Sequence, residues 1–316
     1  MKLIAELCQN HNGNAEALLQ MVDDAADAGA THVKIQHIFA KNVTFRPQFE
    51  HGAIDRISGI EFIKRPYETE YKRMKGLELD DTLVRLFIDR CIKNGVTPLT
   101  TCFCSQHVQY LVDVGFKEIK VASYDCASHS MLKILREEFN HVYVSTGATF
   151  NNEIKTTAEL LSPERSSFLH CVTRYPTPLD ALNLGRIEWL RQFARPVGFS
   201  DHSLKSRDGL NAVKLAMTLG AEIIEVHYRI FAADESKDGP VSVDKEQLAQ
   251  LKSFSELNLA DKKRDLEQLG IHEFGQNISK DFTMSEEEYK NRLYFRGRFA
   301  SLIEEDGIKR HIYNWE

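Results

Sequence analysis

Side chains suited to holding an anion and a cation recur at regular stations along this chain. Lys34 lies in HVKIQ and Lys120 in EIKVAS, each flanked by apolar or β-branched residues. An ammonium embedded in such a strand needs an anion, which makes both lysines candidates for phosphate or carboxylate binding. The plainer alternative is a lysine snorkelling from a strand edge. Ser145-Thr146-Gly147 adds hydroxyls and exposed N–H groups that suit a phosphate, or is ordinary turn chemistry. His202 and His227 end two successive strand candidates, and each has an acid nearby, Asp201 and Glu225. Imidazoles from neighbouring strands can converge on one cation, and they suit Zn, Fe, Mn or Ni. Glu6, Gln36, Thr101, Ser123, Asp125, His170 and Ser200 fall at similar stations.

Something must bring these stations together, and the pattern of elements names it. Strand candidates are Lys2–Leu7, His32–Ile38, Thr97–Cys102, Glu118–Ser123, His141–Thr146, Ser167–Val172, Pro196–Ser200 and Glu222–Tyr228. Helical stretches lie between them. NAEALLQMVDDAADAGA carries a one-sided stripe at Ala17, Leu18, Met21, Val22, Ala25 and Ala28, and Gly29 marks its end. DTLVRLFIDRCIKNG and DGLNAVKLAMTLGA repeat the arrangement, with Gly95 and Gly220 as stops. Strands alternating with helices indicate a parallel sheet. An open doubly wound sheet has about five or six strands, so eight favour closure into an α/β (β/α)8 TIM barrel. The Gly-rich turn of a dinucleotide fold does not follow the first strand. In a barrel of this kind chemistry collects at the C-terminal ends of the strands, which is where the polar stations fall.

The bulk numbers agree. A chain of 316 residues suits one barrel of about 250 residues plus insertions. The formal charge of -6 argues against nucleic acid or an anionic membrane as the main partner. Cys8, Cys91, Cys102, Cys104, Cys126 and Cys171 form no C-x-x-C pair, and buried reduced thiols are the expectation. No signal peptide or membrane-length apolar run is seen, so a cytoplasmic protein is expected. The barrel is assigned to residues 1–270, with a long insertion at 39–80 that is either a substrate lid or a surface contact. Residues 271–316 form a C-terminal extension too short for a core of its own.

The strings IAELCQNHNG, VKIQ, TCF, IKVASYD, VSTGA, LHCVTRYPTP, NL, VGFSDHS and GAEIIEVH, in this order, resemble the sialic acid (N-acetylneuraminate) synthase family. The resemblance runs from residue 4 to residue 227. It implies a barrel enzyme that condenses phosphoenolpyruvate with a sugar aldehyde to a nonulosonic acid and releases phosphate by C–O cleavage. Lys34, Lys120, Ser123, Ser145 and Ser200 then match residues that hold phosphoenolpyruvate, and Asn183 stands in the NL string. His202 and His227 match two metal-binding histidines. Glu6 matches an acid near metal and aldehyde, and Glu225 keeps the acid two residues before the second histidine. Gln36, Thr101 and Tyr175 match pocket residues, and Asp125 stands where a sugar contact is common. The implied cofactor is a divalent metal, Mn2+ first, with Mg2+ or Co2+ as alternatives. The implied assembly is a homodimer.

Three departures fall on the sugar side. The family's Gly-Pro-Asp after the second histidine is replaced by Asp238-Gly239-Pro240-Val241-Ser242, with Asp238 the nearest substitute acid. Val226 stands where a Lys or Arg is common. The C-terminal antifreeze-like domain that gives an Arg to the partner's sugar site is matched only at its beginning, by RLYFRGRFASLIEEDGIKRHIYNWE. An unusual acceptor is therefore expected. Two rivals remain. One is a synthase of the 3-deoxy-octulosonate phosphate type, with Arg174, Lys205 and Arg207 as a second basic cluster. The other is a non-catalytic binding barrel.

Overall fold

Eight parallel strands pair in chain order and close on themselves. They are β1 (Lys2–Cys8), β2 (His32–Gln36), β3 (Thr97–Thr101), β4 (Glu118–Val121), β5 (His141–Ser145), β6 (Ser166–His170), β7 (Gly198–Asp201) and β8 (Ile223–His227). β1 pairs with both β2 and β8, which seals the (β/α)8 barrel. The computed structural model describes residues 1–270 and 283–316. β7 begins two residues later than expected, because Pro196 has no N–H for the ladder.

The helices between strands form where the apolar stripes predict. Asn14 caps Ala15–Asp27 by accepting from Ala17 N–H, and that helix buries Leu18, Met21, Val22 and Ala25 against the barrel. Asp80 caps Asp81–Lys93, which buries Val84, Phe87, Ile88 and Cys91. The third expected helix is divided into Lys205–Asp208 and Asn211–Thr218. Gly209 sits at the break with φ 55° and ψ -129°, a backbone that only glycine adopts without strain.

Inside the barrel, Ile4, Leu99, Tyr143, Leu169 and Ile223 pack into one buried apolar layer. Side chains alternate along a strand, so the residue two further on faces the same way. Those residues are Glu6, Thr101, Ser145, Cys171 and Glu225, and all five line a cavity at the C-terminal ends of the strands. The apolar layer is the floor on which the polar layer rests.

Insertion and tail close over that end together. Val43 bridges Phe299 in an antiparallel pair, Thr44 N donates to Arg298 O at 3.0 Å, and Asn42 Nδ2 donates to Ala300 O at 2.9 Å. Arg298 is ion-paired with Glu70, which also holds Arg73 at 2.9 Å. The tail comprises the helix Glu286–Phe295 and a hairpin, β9 (Ser301–Glu305) and β10 (Ile308–Ile312). It reaches the strand ends through Asn291 Nδ2 to Thr173 O at 2.7 Å and Asn314 Nδ2 to Phe103 O at 2.9 Å. Residues 271–282 of the expected extension lie outside the described residues. No helix among the described residues is long and apolar enough to cross a membrane.

Candidate active site

The polar layer holds two lysines and two glutamates, all buried. Lys34 is in direct contact with Glu6 and donates to Thr101 Oγ1 at 3.1 Å. Lys120 contacts Ser145 Oγ and lies 3.8 Å from Glu225 Oε2. Ser200 Oγ donates to Glu225 Oε1 at 2.9 Å, and Cys8 N–H donates to Glu6 Oε1 at 2.7 Å. Burial pulls Lys34 down to about 8; Glu225 opposes this and Lys120 adds to it. Burial alone would raise Glu225, but Lys120 and Lys34 overcome it and hold the carboxylate at about 2. The two charges of each sign cancel. An entering phosphate or carboxylate can therefore take over the ammonium groups from the glutamates without leaving a bare cation.

Around this quartet the cavity has a volume of about 90 Å³. Gln36, Ser123, Tyr175, His202 and His227 also line it. Gly147 supplies a narrow wall, since a Cβ there would meet Thr173 Oγ1 and come within 2.7 Å of Cys171 Sγ and 3.1 Å of Ser123 Oγ. Ser123 Oγ accepts from Gly147 N–H at 3.1 Å.

The two histidines face each other with ring centroids 5.5 Å apart. Burial pushes His202 down to about 4, with His227 adding to the effect. Burial lowers His227 as well. Both shifts favour the neutral imidazole, the form that ligates metal. His202 Nδ1 lies 3.0 Å from Val172 O; donation there leaves Nε2 with its lone pair, the arrangement usual behind a metal. His227 Nδ1 is buried without a partner. Cys8 Sγ, a ring nitrogen of His227 and a carboxylate oxygen of Asp238 lie within 4.8 Å of one another. These donors fit a divalent cation.

Twelve of the fourteen site residues expected from sequence line the cavity: Glu6, Lys34, Gln36, Thr101, Lys120, Ser123, Ser145, Tyr175, Ser200, His202, Glu225 and His227. Asp125 and Asn183 do not. Asp125 turns under the tail, where Ser128 Oγ and Asn314 Nδ2 donate to it. Asn183 sits on the loop after β6 in a left-handed conformation. Thr173, two residues before Tyr175, takes a place on the wall instead, with Oγ1 buried and unpartnered; its signal was present in CVTRYPTP. Cys8 and Cys171 are cavity residues and not only core packing. The proposed second basic cluster is neutralised. Arg174 pairs with Glu287 at 2.7 Å, Arg207 with Asp208 at 2.6 Å, and Lys205 with Asp201.

Beyond His227 the cavity continues into a larger chamber of about 470 Å³. Tyr124, Tyr175, Gln36 and His227 belong to both. The insertion contributes Ile63 and Arg65 to its wall, the loop after β8 Lys237 and Asp238, and the tail Asn291, Phe295 and Arg298. Asp238 is the substitute acid expected from the sequence; the insertion and tail residues carried no spacing signal, because they meet only when those two segments fold over the same strand ends.

A profile of the NeuB family matches residues 21–262. The chain is 27% identical over 306 residues to a pseudaminic acid synthase of Campylobacter jejuni, spanning 95% of this chain and 81% of that protein. It is 28% identical over 260 residues to an N,N'-diacetyllegionaminic acid synthase of Legionella pneumophila, spanning 79% of this chain and 69% of that protein. Its fold superposes with a TM-score of 0.67 and 26% identity on N-acetylneuraminic acid (sialic acid) synthetase from Leptospira borgpetersenii in complex with citrate, over 93% of this chain and 92% of that one. The profile runs from the first helix through β8, across the strands that carry the lysines and the histidines, and this chain belongs to the NeuB family.

Proposed function

We propose that this enzyme condenses phosphoenolpyruvate with a sugar aldehyde to a nonulosonic-type acid and releases inorganic phosphate. One arrangement carries the reading: two buried, glutamate-paired lysines ringed by Ser145, Thr101 and Ser200, opening past two neutral histidines into a sugar-sized chamber. The small inner cavity suits the phosphate and carboxylate of phosphoenolpyruvate, and the chamber suits the acceptor. Lys34 and Lys120 offset the charge of the enolpyruvyl phosphate. Carbon 3 of phosphoenolpyruvate attacks the aldehyde carbon and forms the C–C bond. Water then adds to carbon 2, and phosphate leaves as the C–O bond breaks. Glu6, held between Lys34 and Cys8 N–H, is the candidate to move a proton at this step. A divalent cation held by His227, with His202 or Asp238 beside it, would supply Lewis-acid polarisation of the aldehyde oxygen.

A second reading concerns the acceptor. Arg65 and Lys237 both line the chamber, and neither forms an ion pair among the described residues. Arg65 lies over two rings, 4.7 Å from the Tyr294 centre and 5.7 Å from that of Phe295. The protein packed around Lys237 lowers its pKa, and Arg73, Arg65 and Arg298 lower it further. Two unpaired cations favour an acceptor with an anionic group of its own, such as a sugar phosphate.

One assay tests both. Purified protein is given phosphoenolpyruvate, a divalent metal and a panel of hexose aldehydes with and without phosphate, and phosphate release is followed. Release is expected only when an acceptor is present, and His202→Ala should abolish it while the melting transition stays. Acceptor-independent release, or none across the panel, would sink the synthase reading. Equal use of neutral and phosphorylated sugars would remove the second.

A further inference from the structure

We infer that Cys8 is a metal ligand, and that with His227 and Asp238 it makes a thiolate-bearing site selecting Zn2+, Fe2+ or Co2+ over Mg2+ and Mn2+. Ligating atoms of the three lie within 4.8 Å of one another. They arrive from separate places: the last residue of β1, the last residue of β8 and the loop that follows it.

Two irregularities turn Cys8 to this spot. The pairing of β1 with β2 slips between Glu6 and Cys8, so Glu6 faces Lys34 while Cys8 faces Ile35. A bulge of this kind re-aims a side chain. Cys8 also has φ 48°, the left-handed region where a non-glycine residue is strained. Glycine would hold that backbone freely, yet a thiol stands there, buried and 2.9 Å from Asp238 Oδ2. Strain of this sort persists where the surroundings over-determine it, and such places cluster at functional sites.

The third member supplies the independent observation. His227 is 8% exposed, and its Nδ1 has no hydrogen-bond partner. A buried polar atom left unpaired is unfavourable; a cation shared with the neighbouring thiolate and carboxylate would satisfy it. His202 stays outside this three-residue cluster, its ring 5.5 Å from that of His227.

Sulfur decides the metal. Thiolate with imidazole suits borderline cations, whereas Mg2+ prefers carboxylates, carbonyls and water. On binding, the Cys8 S–H bond breaks, the sulfur donates its electron pair to the cation, and the proton passes to solvent. The assignment stands on these three residues whether or not the synthase reading holds.

The test uses the full chain, stripped with a chelator and titrated with Co2+. One equivalent should bind with a near-ultraviolet thiolate-to-cobalt charge-transfer band, and Zn2+ should displace it. Cys8→Ser should lose the band, and its preference for Zn2+ over Mn2+ should fall by roughly tenfold or more. Cys8→Gly relaxes the backbone, keeps the fold by circular dichroism and also loses the band. An unchanged band in Cys8→Ser overturns the assignment. So does a folded parent protein that binds neither Co2+ nor Zn2+, or binds Co2+ without the band.

Discussion

Asp125 is buried under the C-terminal tail, with Ser128 Oγ at 2.8 Å and Asn314 Nδ2 at 3.0 Å. Burial pushes its carboxyl up to about 6, and the two donors pull the other way without prevailing. A folded pKa above the ordinary 3.8 means that the fold binds this proton more tightly than the open chain does. The stabilisation is fully present below the open-chain value and is lost as pH rises through about 6. Asp125→Asn should therefore gain stability relative to the parent on going from pH 5 to pH 8, on the order of 1 kcal/mol. Denaturant melts at the two pH values measure this. The acceptor KM should not move, and a clear rise would restore Asp125 as a sugar contact. Its position in ASYDC gave it the right type for that role. Its direction was set by Asn314, 189 residues away, which no local pattern foretells.

Insertion and tail are joined at Glu70. Burial would raise this carboxyl, but Arg298 and Arg73 prevail and hold it at about 2. Its contribution is present above the ordinary value of 4.5 and lost as pH falls through about 2, so it is complete under neutral conditions. Glu70→Gln removes the charge and leaves Arg298, 5% exposed, without its anion. The cost is expected at roughly 2–3 kcal/mol, under the usual figure for a buried pair because the chamber's solvent is near. It should appear first as faster hydrogen exchange and proteolysis in residues 39–80 and 283–316, with the barrel strands still protected. Uniform loosening of the whole chain would contradict this division of labour. The insertion was readable as a long charged and aromatic segment. That it packs with the tail was not, since Val43 and Phe299 bridge across six of the eight barrel strands in the sequence.

Barrel closure rests on the layer of Ile4, Leu99, Tyr143, Leu169 and Ile223. Leu99 is fully buried there and lies two residues below Thr101 on the same face of β3. Leu99→Ala should destabilise the protein by about 2–5 kcal/mol, since the surrounding strands can collapse only in part onto the space left. The floor under the lysines would loosen as well, so the KM for phosphoenolpyruvate should rise together with the fall in melting temperature. A change in stability with unaltered KM would separate the floor from the site above it.

Period and type settle much of this molecule before it folds. Eight apolar runs alternating with striped helices dictate a parallel barrel, and the two-residue period carries Glu6, Thr101, Ser145 and Glu225 to its inner face above the apolar layer. Both are short-range properties of the chain, written into each strand. Contacts between distant segments are of another kind. The turn of Asp125 toward Asn314, the arrival of Thr173 on the wall in place of Asn183, the bulge that aims Cys8 at Asp238 and the chamber built by insertion and tail all depend on packing. Side-chain direction at a strand end is decided by whatever else occupies that end, and only the closed barrel brings those neighbours together.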